Sequence, residues 1–278
     1  MSVGNLSTGG SGKTPFVILL GEHLRKCGVK FDVLSRGYGR ETHGVFEVDR
    51  KGSPLQFGDE PLLIRTRVEC PVMVSEDRHQ AGIFAEQKFG PQLHILDDGF
   101  QHRRLARDID IVLLAPEDFQ DSLLPGGRLR EPLSSLRRAD EVIVMGDGEA
   151  PAQFGQTAKQ IRRTVLIENA PQRPVVFCGI AKPKRFVEQL RSQGIKPAAE
   201  RFFRDHHFYR EADLGQLKRL RGECSADGFI TTEKDAINLG DRISQLENVA
   251  VARVSLLAEP ADALDTLLRQ IADLGRLA

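Results

Sequence analysis

The sequence predicts an α/β fold in which a mostly parallel sheet is flanked by helices and is followed by a second, smaller α/β domain. Up to about residue 145, short apolar runs alternate with longer amphipathic segments, which is the pattern of repeated βαβ units. A segment rich in Gly, Pro and Ala, Gly146 to Gln156, then interrupts the alternation and is typical of a linker. We therefore place a first domain at residues 1–148 and a second at residues 149–278.

Apolar runs predict the strands, and amphipathic stretches predict the helices. The predicted strands of the first domain are Lys30–Leu34, Pro71–Ser75, Leu93–Leu96, Ile109–Ala115 and Glu141–Met145. Its predicted helices are Gly12–Lys26, Glu60–Val68, Arg78–Lys88 and Pro132–Ala139. The predicted strands of the second domain are Val175–Ile180, Lys196–Phe203, Gly228–Thr232 and Val249–Val254. A final amphipathic helix is predicted at Pro260–Leu274, with an apolar face that can pack back on the first domain.

Composition excludes several classes of protein. Lys plus Arg balance Asp plus Glu at 39 each over 278 residues, so the net charge favours neither a nucleic-acid coat nor an acidic tail. The four cysteines form no C-x-x-C pair, which predicts free thiols and no zinc site. No stretch approaches ~18 to 20 unbroken apolar residues, so the chain as written predicts a soluble protein. We expect neither a nucleic-acid partner nor a protein partner.

The first predicted helix follows a loop that is suited to phosphate. Its ending, Gly12-Lys13-Thr14, is that of a Walker A loop, in which backbone N–H groups and a helix N-terminus surround phosphate oxygens. Lys13 would neutralise the β- and γ-phosphates, and the Thr14 hydroxyl can bind Mg²⁺. The predicted nucleotide-binding residues are Ser7, Thr8, Gly9, Gly10, Ser11, Gly12, Lys13 and Thr14. A Gly-rich turn before a helix is the alternative interpretation, but an apolar helix follows directly, which favours a P-loop NTPase-like domain.

Two features of this loop depart from the usual pattern. The strict Walker A pattern has Gly where this chain has Ser7. The strand that should precede the loop is reduced to Met1-Ser2-Val3, although such a strand is normally central in the sheet. We therefore expect that this strand is missing from the chain as written, through either an upstream start or trimming.

A predicted strand, Leu93–Leu96, ends in the two carboxylates Asp97 and Asp98. An apolar strand followed by acids is the arrangement of a Walker B motif, whose carboxylate helps to hold Mg²⁺. The alternative is a solvated Asp-Gly turn, and the neighbouring Walker A loop argues against it. His102 follows closely, either as a supporting partner of this site or as a cap.

Phosphoryl transfer needs a group that positions and deprotonates the attacking hydroxyl. Asp59, in a loop ahead of a predicted helix, is one candidate, with N-capping as its alternative role. His206 and His207, at a strand end in the second domain, are others, and the sequence does not decide between them. A metal site at this His pair is disfavoured because no Cys or third His lies nearby in the sequence.

Other polar segments also follow predicted strands. Arg36 and Tyr38 lie in a Gly-rich loop, where contact with substrate phosphate or ATP competes with a simple tight turn. Ser75 to Arg78 more readily caps a helix. A window rich in Arg and Leu, from Arg103 to Arg138, could face anionic lipid and acyl chains. Within that window, Arg130 and Glu131 are the candidate substrate-binding residues, whereas Arg137 and Arg138 fit an ordinary basic helix face.

Seven motifs occur in order and together carry a resemblance to a known family. They are V-G-N-L-S-T-G-G-S-G-K-T-P, L-S-R-G-Y-G-R, G-D-E-P, D-D-G-F-Q-H, L-P-G-G-R-L-R-E-P, F-x-D-H-H and T-T-E-K-D. The chain resembles the tetraacyldisaccharide 4'-kinases from Val3 to about Asp235. In that family Ser or Thr usually stands at the position of Ser7, so this departure no longer counts against a P-loop.

The resemblance implies transfer of the γ-phosphate of ATP to the 4'-hydroxyl of tetraacyldisaccharide 1-phosphate, which forms lipid IVA in lipid A biosynthesis. It implies ATP and Mg²⁺ as cofactors, Asp59 as catalytic base, and Lys13, His206 or His207 beside it. The candidate substrate contacts, argued from the residues themselves, are Arg36, Tyr38, His102, Arg130 and Glu131. The family usually begins with a membrane-anchoring helix that is absent here, so we expect a peripheral protein at the cytoplasmic face of the bacterial inner membrane.

Two other functions compete with this interpretation. A P-loop kinase for a soluble metabolite predicts phosphorylation without detergent or lipid. A non-catalytic nucleotide switch predicts slow hydrolysis and a GTP preference that depends on a partner. Both leave the window of Arg and Leu residues unexplained.

Overall fold

The structure is a computed structural model that describes residues 1–10, 12–146, 158–259 and 261–277. The chain divides into two units. The first contains residues 1–52, 56–163 and 256–278, and the second contains residues 53–55 and 164–255. The boundary expected at residues 148 and 149 lies outside the described residues. The division falls after Arg163, and the C-terminal helix belongs to the first unit.

The strands and helices follow one another in a largely alternating order. The strands are β1 (Ser2–Asn5), β2 (Phe31–Ser35), β3 (Phe46–Glu47), β4 (Val72–Val74), β5 (Leu93–Asp97), β6 (Asp110–Leu114), β7 (Glu141–Met145), β8 (Ala158–Leu166), β9 (Pro174–Cys178), β10 (Ala199–Phe202), β11 (Gly228–Thr232) and β12 (Val249–Glu259). The helices are α1 (Lys13–Lys26), α2 (Pro54–Phe57), α3 (Asp59–Arg67), α4 (Arg78–Phe89), α5 (Pro183–Ser192), α6 (Glu211–Glu223), α7 (Glu233–Leu239) and α8 (Ala261–Leu277). Short 3-10 helices span Pro116–Gln120, Leu133–Arg138 and Gly240–Gln245.

The first unit is built on a sheet with the strand order β8-β7-β6-β1-β5-β2-β4-β3. Every pairing in it is parallel except that of β3 with β4. The central strands are buried along their length, as expected of a parallel sheet covered on both faces. The predicted α/β fold with a mostly parallel sheet is confirmed.

The expectation that the strand before the glycine-rich loop is missing was wrong. Ser2–Asn5 forms β1, which pairs in parallel with β5 on one side and with β6 on the other. The strand was expected to be missing because so few residues precede the glycine-rich loop in the sequence. Gly4 is needed here, because a Cβ at this position would lie 2.5 Å from Cβ of Phe100.

The second unit has its own parallel sheet in the order β10-β9-β11-β12. Alternate residues of β9 face opposite sides: Val176 packs in a cluster with Leu190 of α5, and Val175 packs in another with Leu217 of α6. The alternation of side chains along a strand therefore gives this small sheet an apolar core on each face.

Several predicted elements differ from those observed. The helix predicted at Pro132–Ala139 is a 3-10 helix at Leu133–Arg138, too short to bury an amphipathic face of its own. The sequence analysis missed β8 and the helices α5, α6 and α7 of the second unit.

All four cysteines are free thiols, as predicted. Within the described ranges, none of the helices has the length and apolar character needed to cross a membrane.

Candidate active site

The glycine-rich loop connects the central strand β1 to helix α1. Gly9 and Gly12 have φ values of 101° and 94°, a left-handed region that favours glycine. Gly12 is also the residue before α1, and it has no side chain to cap the first N–H groups of that helix. The start of α1 therefore has no side-chain cap hydrogen bond, which suits anion binding at a helix N-terminus. Ser11, predicted to bind nucleotide, lies outside the described residues.

Lys13 lies between the end of β1 and the acidic end of β5. Its Nζ donates a hydrogen bond of 2.9 Å to Oδ1 of Asn5 and lies 3.4 Å from Oδ1 of Asp98. The side chain is 15% exposed, so the ammonium group is largely withdrawn from solvent. Thr14, the next residue, is buried in the first turn of α1. The structure thus brings together the loop and one of the two predicted acids.

Arg130 completes this cluster from a distant part of the chain. Its guanidinium makes a bidentate contact with Asp98, at 3.0 and 2.8 Å, and it also donates to the side chain of Asn5. Burial by itself favours the neutral acid, but Arg130 and Lys13 together lower the pKa of Asp98 to about 2. Asp98 is therefore a carboxylate held by two cations.

Asp97 is in the opposite situation. It is buried at the end of β5, where the Ser35 hydroxyl donates to its Oδ2 at 2.9 Å. Its Oδ1 is buried and accepts no hydrogen bond from any described residue. Burial, with a smaller contribution from the charges of Glu60 and Asp98, raises the pKa of Asp97 to about 7.

The unpartnered Oδ1 of Asp97 is evidence that the site fits a divalent cation. A buried carboxylate oxygen without a donor is costly unless a ligand satisfies it, and hard cations such as Mg²⁺ prefer oxygen ligands. Within the part of the chain that the structure describes, no cluster of three or more His, Cys, Asp or Glu side chains forms a metal site. One or two carboxylates plus phosphate oxygens suit Mg²⁺, which dehydrates reluctantly. The residues present fit this ion.

Asp59 is placed by a close contact between two loops. Gly58 has a φ of 87°, and a Cβ there would lie 3.0 Å from the backbone oxygen of Tyr38. Asp59 itself is buried in the first turn of α3, and its Oδ1 accepts a hydrogen bond from the N–H of Glu60 at 2.9 Å. The N-cap position is occupied by Gly58, so Asp59 does not have the capping role that was its alternative. Arg36 and Tyr38 are exposed on the facing loop.

Arg78 is a residue that the sequence analysis treated only as part of a helix cap. Asp77 does cap α4, accepting from the N–H groups of His79 and Gln80. Arg78 is buried, and it donates to the backbone oxygens of Ser75 and Glu76 at 3.3 Å. Burial lowers the pKa of Arg78, while the charges of Asp97 and Asp98 oppose that shift. Its position directly after a buried strand, at the edge shared with Asp97, is the signal that could have identified it.

His102 and Glu131 lie among the same cations. Burial and then the charge of Arg78 lower the pKa of His102. Arg138 donates to Glu131 at 2.8 Å and stacks over the Phe100 ring at 4.5 Å from its centroid. Although burial favours the neutral acid, this contact lowers the pKa of Glu131.

In the second unit the two adjacent histidines have different surroundings. His207 stacks on Phe203 at a centroid distance of 4.6 Å, and its Nε2 lies 3.1 Å from Oδ2 of Asp213. His206 has a φ of 57°, and its Nε2 lies 3.2 Å from Nζ of Lys234. His207 is thus held by packing and by a carboxylate, whereas His206 is raised on a left-handed turn beside a lysine.

A central strand, a glycine-rich loop, a helix that begins at a lysine, and two acids on the next strand define a P-loop phosphotransferase. A family model described as "Tetraacyldisaccharide-1-P 4'-kinase" matches residues 1–273. The chain belongs to the tetraacyldisaccharide 4'-kinase family.

Individual relatives agree with this family. The "Tetraacyldisaccharide 4'-kinase" of Koribacter versatilis is 48% identical, over 98% of this chain and 88% of the relative. The protein of the same name from Geobacter metallireducens is 37% identical, over 98% and 87%. A crystal structure of the "apo" form of LpxK from Aquifex aeolicus, in complex with ATP, superposes with a TM-score of 0.77 at 34% identity, covering 97% of this chain and 87% of that one.

Proposed function

We propose that this chain transfers the γ-phosphate of ATP to the 4'-hydroxyl of tetraacyldisaccharide 1-phosphate, as the family name indicates. The observation that carries this proposal is the cluster of Lys13, Asp98 and Arg130 at the end of β1. In this cluster Lys13, at the phosphate-binding loop, lies close to Arg130, a second cation that can bind an anionic group of the acceptor. In the Aquifex aeolicus relative, 34% identical to this chain, the corresponding fold binds ATP.

The nucleotide phosphates would be held by the loop from Ser7 to Thr14. Backbone N–H groups at the start of α1 would donate to the phosphate oxygens, and Lys13 would neutralise the β- and γ-phosphates. Thr14, Asp97 and Asp98 would hold Mg²⁺, and the unpartnered Oδ1 of Asp97 is the oxygen that supports this assignment. When bound, the ion neutralises charge on the phosphates and aligns them for transfer.

Asp59 is the proposed base for the attacking hydroxyl. It is a buried carboxylate in the first turn of a helix, beside a loop that exposes Tyr38 and Arg36. The carboxylate would accept the hydroxyl proton as the oxygen attacks the γ-phosphorus. Of the two histidines, we assign the catalytic contribution to His206, which a left-handed turn holds beside Lys234, whereas His207 stacks on Phe203 and contacts Asp213.

The anionic disaccharide would be recognised by the arginines of the first unit. Arg130 is oriented by Asp98, and Arg78 is a buried cation whose Nε–H donates to no acceptor among the described residues. Fixed guanidinium groups favour bidentate contacts with phosphate. Arg36, Tyr38, His102 and Glu131 remain predicted substrate contacts, with Glu131 held in place by Arg138.

The test is an assay with ATP labelled in its γ-phosphate, Mg²⁺ and the tetraacyl disaccharide 1-phosphate in mixed micelles. We expect label in the lipid phase, and a Lys13→Ala variant should lower kcat by ~10²- to 10³-fold because it removes a contact to the developing charge. Lys30→Ala, an exposed lysine outside the site, is the matched control. Transfer to a soluble sugar but not to the lipid, or unchanged turnover by Lys13→Ala, would refute the proposal.

We also propose that a short loop beside the nucleotide site contacts the membrane. This loop, Asp121 to Arg128, carries two leucines, Leu123 and Leu124, that are 47% and 52% exposed. Its backbone is fixed: the N–H of Leu124 donates to Leu129 at 2.9 Å, and that of Thr8 in the phosphate loop donates to Arg128 at 2.8 Å. An exposed apolar pair on a fixed loop loses little entropy on entering a lipid interface.

Sedimentation with vesicles that contain anionic lipid tests this contact. A Leu123→Ser/Leu124→Ser double variant should bind vesicles about tenfold more weakly, since two large apolar side chains leave the lipid. Turnover on a short-chain, soluble analogue of the acceptor should not change. Leu257→Ser replaces a leucine of similar exposure elsewhere and serves as the control. Equal vesicle binding by the double variant and the control would rule out this loop as the contact.

A further inference from the structure

Lys234, in the T-T-E-K-D motif, has had no assigned contribution. We propose that Lys234 is a positioning residue that keeps His206 neutral, with its proton on Nδ1 and its Nε2 turned to the lysine. The inference rests on the proposed function, because it concerns the orientation of a histidine proposed to take part in phosphoryl transfer. It adds a residue whose own side chain need not touch substrate.

The tautomer follows from which groups can donate. Nζ of Lys234 lies 3.2 Å from Nε2 of His206 and 3.1 Å from Oδ1 of Asp205. An ammonium group has three donors and no acceptor, so a hydrogen bond to it requires an unprotonated ring nitrogen. Nε2 must then be the acceptor, and the ring proton must be on Nδ1. The ring proton on Nδ1 then lies on the edge of the imidazole away from Lys234.

The lysine is in turn held by a buried network at the start of α7. Asp235, the next residue, is fully buried and accepts from Tyr209 Oη at 2.7 Å, from Gly179 N at 2.7 Å and from Thr232 Oγ1 at 2.5 Å. Thr232 also caps the helix by accepting from Asp235 N. A helix start anchored by three elements fixes the direction in which Lys234 leaves the backbone.

The histidine is presented by a strained turn. His206 has a φ of 57°, a conformation that costs a non-glycine residue free energy and that clusters at functional sites. Asp205 stabilises the turn, because its Oδ1 accepts from the N–H of His206 at 3.1 Å as well as from Lys234. His206 and Lys234 are 30% and 16% exposed in their side chains, so their contact is partly shielded from water.

Nitrogen-15 NMR of histidine-labelled protein tests the tautomer directly. In the full chain we expect His206 to show an unprotonated Nε2, with its signal assigned by its loss in His206→Gln. A Lys234→Met variant should move His206 toward the Nε2–H tautomer, and Lys234→Arg, which keeps a cationic donor, should restore the original pattern. Lys196→Met, an exposed lysine of the same unit, should leave it unchanged.

Kinetics supply an independent measurement. Lys234→Met should lower kcat about tenfold with KM for ATP within about twofold, since an orienting contact and not nucleotide binding is lost. If Lys234→Met does not fold, as judged by circular dichroism, Lys234→Gln is measured in the same way. A wild-type Nε2–H tautomer, or a tautomer that does not respond to Lys234→Met, overturns the inference. Absence of lipid phosphorylation in the wild type would refute the proposed function alone, because the NMR measurement does not depend on turnover.

Discussion

Asp97 and Asp98 are neighbours in the chain but are held in different states. Asp98 is paired with two cations and has a pKa near 2, whereas Asp97 is buried beside a serine with one oxygen unpartnered and a pKa near 7. Asp97 ends β5 and contacts Ser35, whereas Asp98 follows the strand with a left-handed φ of 54° and contacts Lys13 and Arg130. One acid therefore organises Lys13 and Arg130, and the other retains coordination capacity for a ligand.

A second acidic residue of the sheet, Asp32, contacts a histidine of the neighbouring strand β5. Asp32 is buried in β2, and both of its carboxylate oxygens lie near Nδ1 of His94, at 2.9 and 3.0 Å. Glu86 lies 3.3 Å from Nε2 of the same ring. The hydrogen bond that Nδ1 of His94 donates to Asp32 raises the pKa of His94 above 6.5, against the effect of burial. Burial also raises the pKa of Asp32, but the bidentate geometry favours a protonated histidine facing a carboxylate.

We predict that His94→Gln destabilises the protein more at pH 6 than at pH 9. A histidine whose pKa is raised by folding contributes stability below its unfolded pKa of about 6.5, and that contribution is lost as pH rises through the folded value. The difference should be on the order of 1 kcal/mol, the usual scale of a partly exposed hydrogen bond to a charged group. Urea unfolding at both pH values measures it. An equal or larger effect at pH 9 would contradict the assignment.

At the scale of elements, Gly4 allows the strand that precedes the phosphate loop to pack closely against the loop that follows Asp98. A Cβ on Gly4 would lie 2.5 Å from Cβ and 2.8 Å from N of Phe100, in the loop that follows Asp98. The central strand can therefore approach this loop only without a side chain. The contact sets the distance between Lys13 at one end and Asp98 at the other.

We predict that Gly4→Ala lowers stability by about 1–3 kcal/mol, the usual cost of overpacking. It should also lower kcat by more than this loss of stability explains, because the acidic loop must shift away from Lys13. Thermal unfolding and the lipid assay under conditions where the variant is folded measure the two effects. Gly215→Ala is the control, since a Cβ there meets nothing within 4 Å and helix propensity should make it neutral or stabilising. Full activity in a folded Gly4→Ala variant would contradict this coupling.

The sequence predicted the elements that have strong periodicity and failed where local signals were weak or absent. Glu141–Met145 and Gly228–Thr232 were placed without error because both are continuous apolar or β-branched runs. The strand β1 was expected to be missing because so few residues precede the glycine-rich loop, and the contact with Phe100 that requires Gly4 joins residues distant in the sequence. Periodicity alone did not identify α6, although it has buried leucines on one face.

The same limit applies to the candidate site. Lys13, Asp97, Asp98 and Arg130 were identified from motifs, and the structure brings Lys13, Asp98 and Arg130 into contact. Asn5 and Arg78 were not, because their importance depends on burial and on partners distant in the chain. The different surroundings of His206 and His207 could not be predicted either, since they arise from Phe203, Asp213 and Lys234.

At the scale of the whole molecule, nucleotide binding should appear as added stability. ATP with Mg²⁺ at about 100-fold above its Kd would add about 2.7 kcal/mol to the folded state, which corresponds to a rise in Tm of about 5 °C. We expect differential scanning fluorimetry to show this shift for the wild type and not for Lys13→Ala. A shift of the same size in Lys13→Ala would mean that ATP binds elsewhere.

The central position of β1 has a consequence for how the chain is made. Ser2 pairs with Leu96 of β5 and with Asp110 of β6. Both partners lie far from Ser2 along the chain. During synthesis the glycine-rich loop leaves the ribosome well before the strands that must enclose it, and such long-range pairings form slowly. The phosphate loop can therefore become rigid only after β6 has emerged. ATP therefore cannot bind during the early stages of folding. It would bind only those molecules in which β1 has paired with β5 and β6.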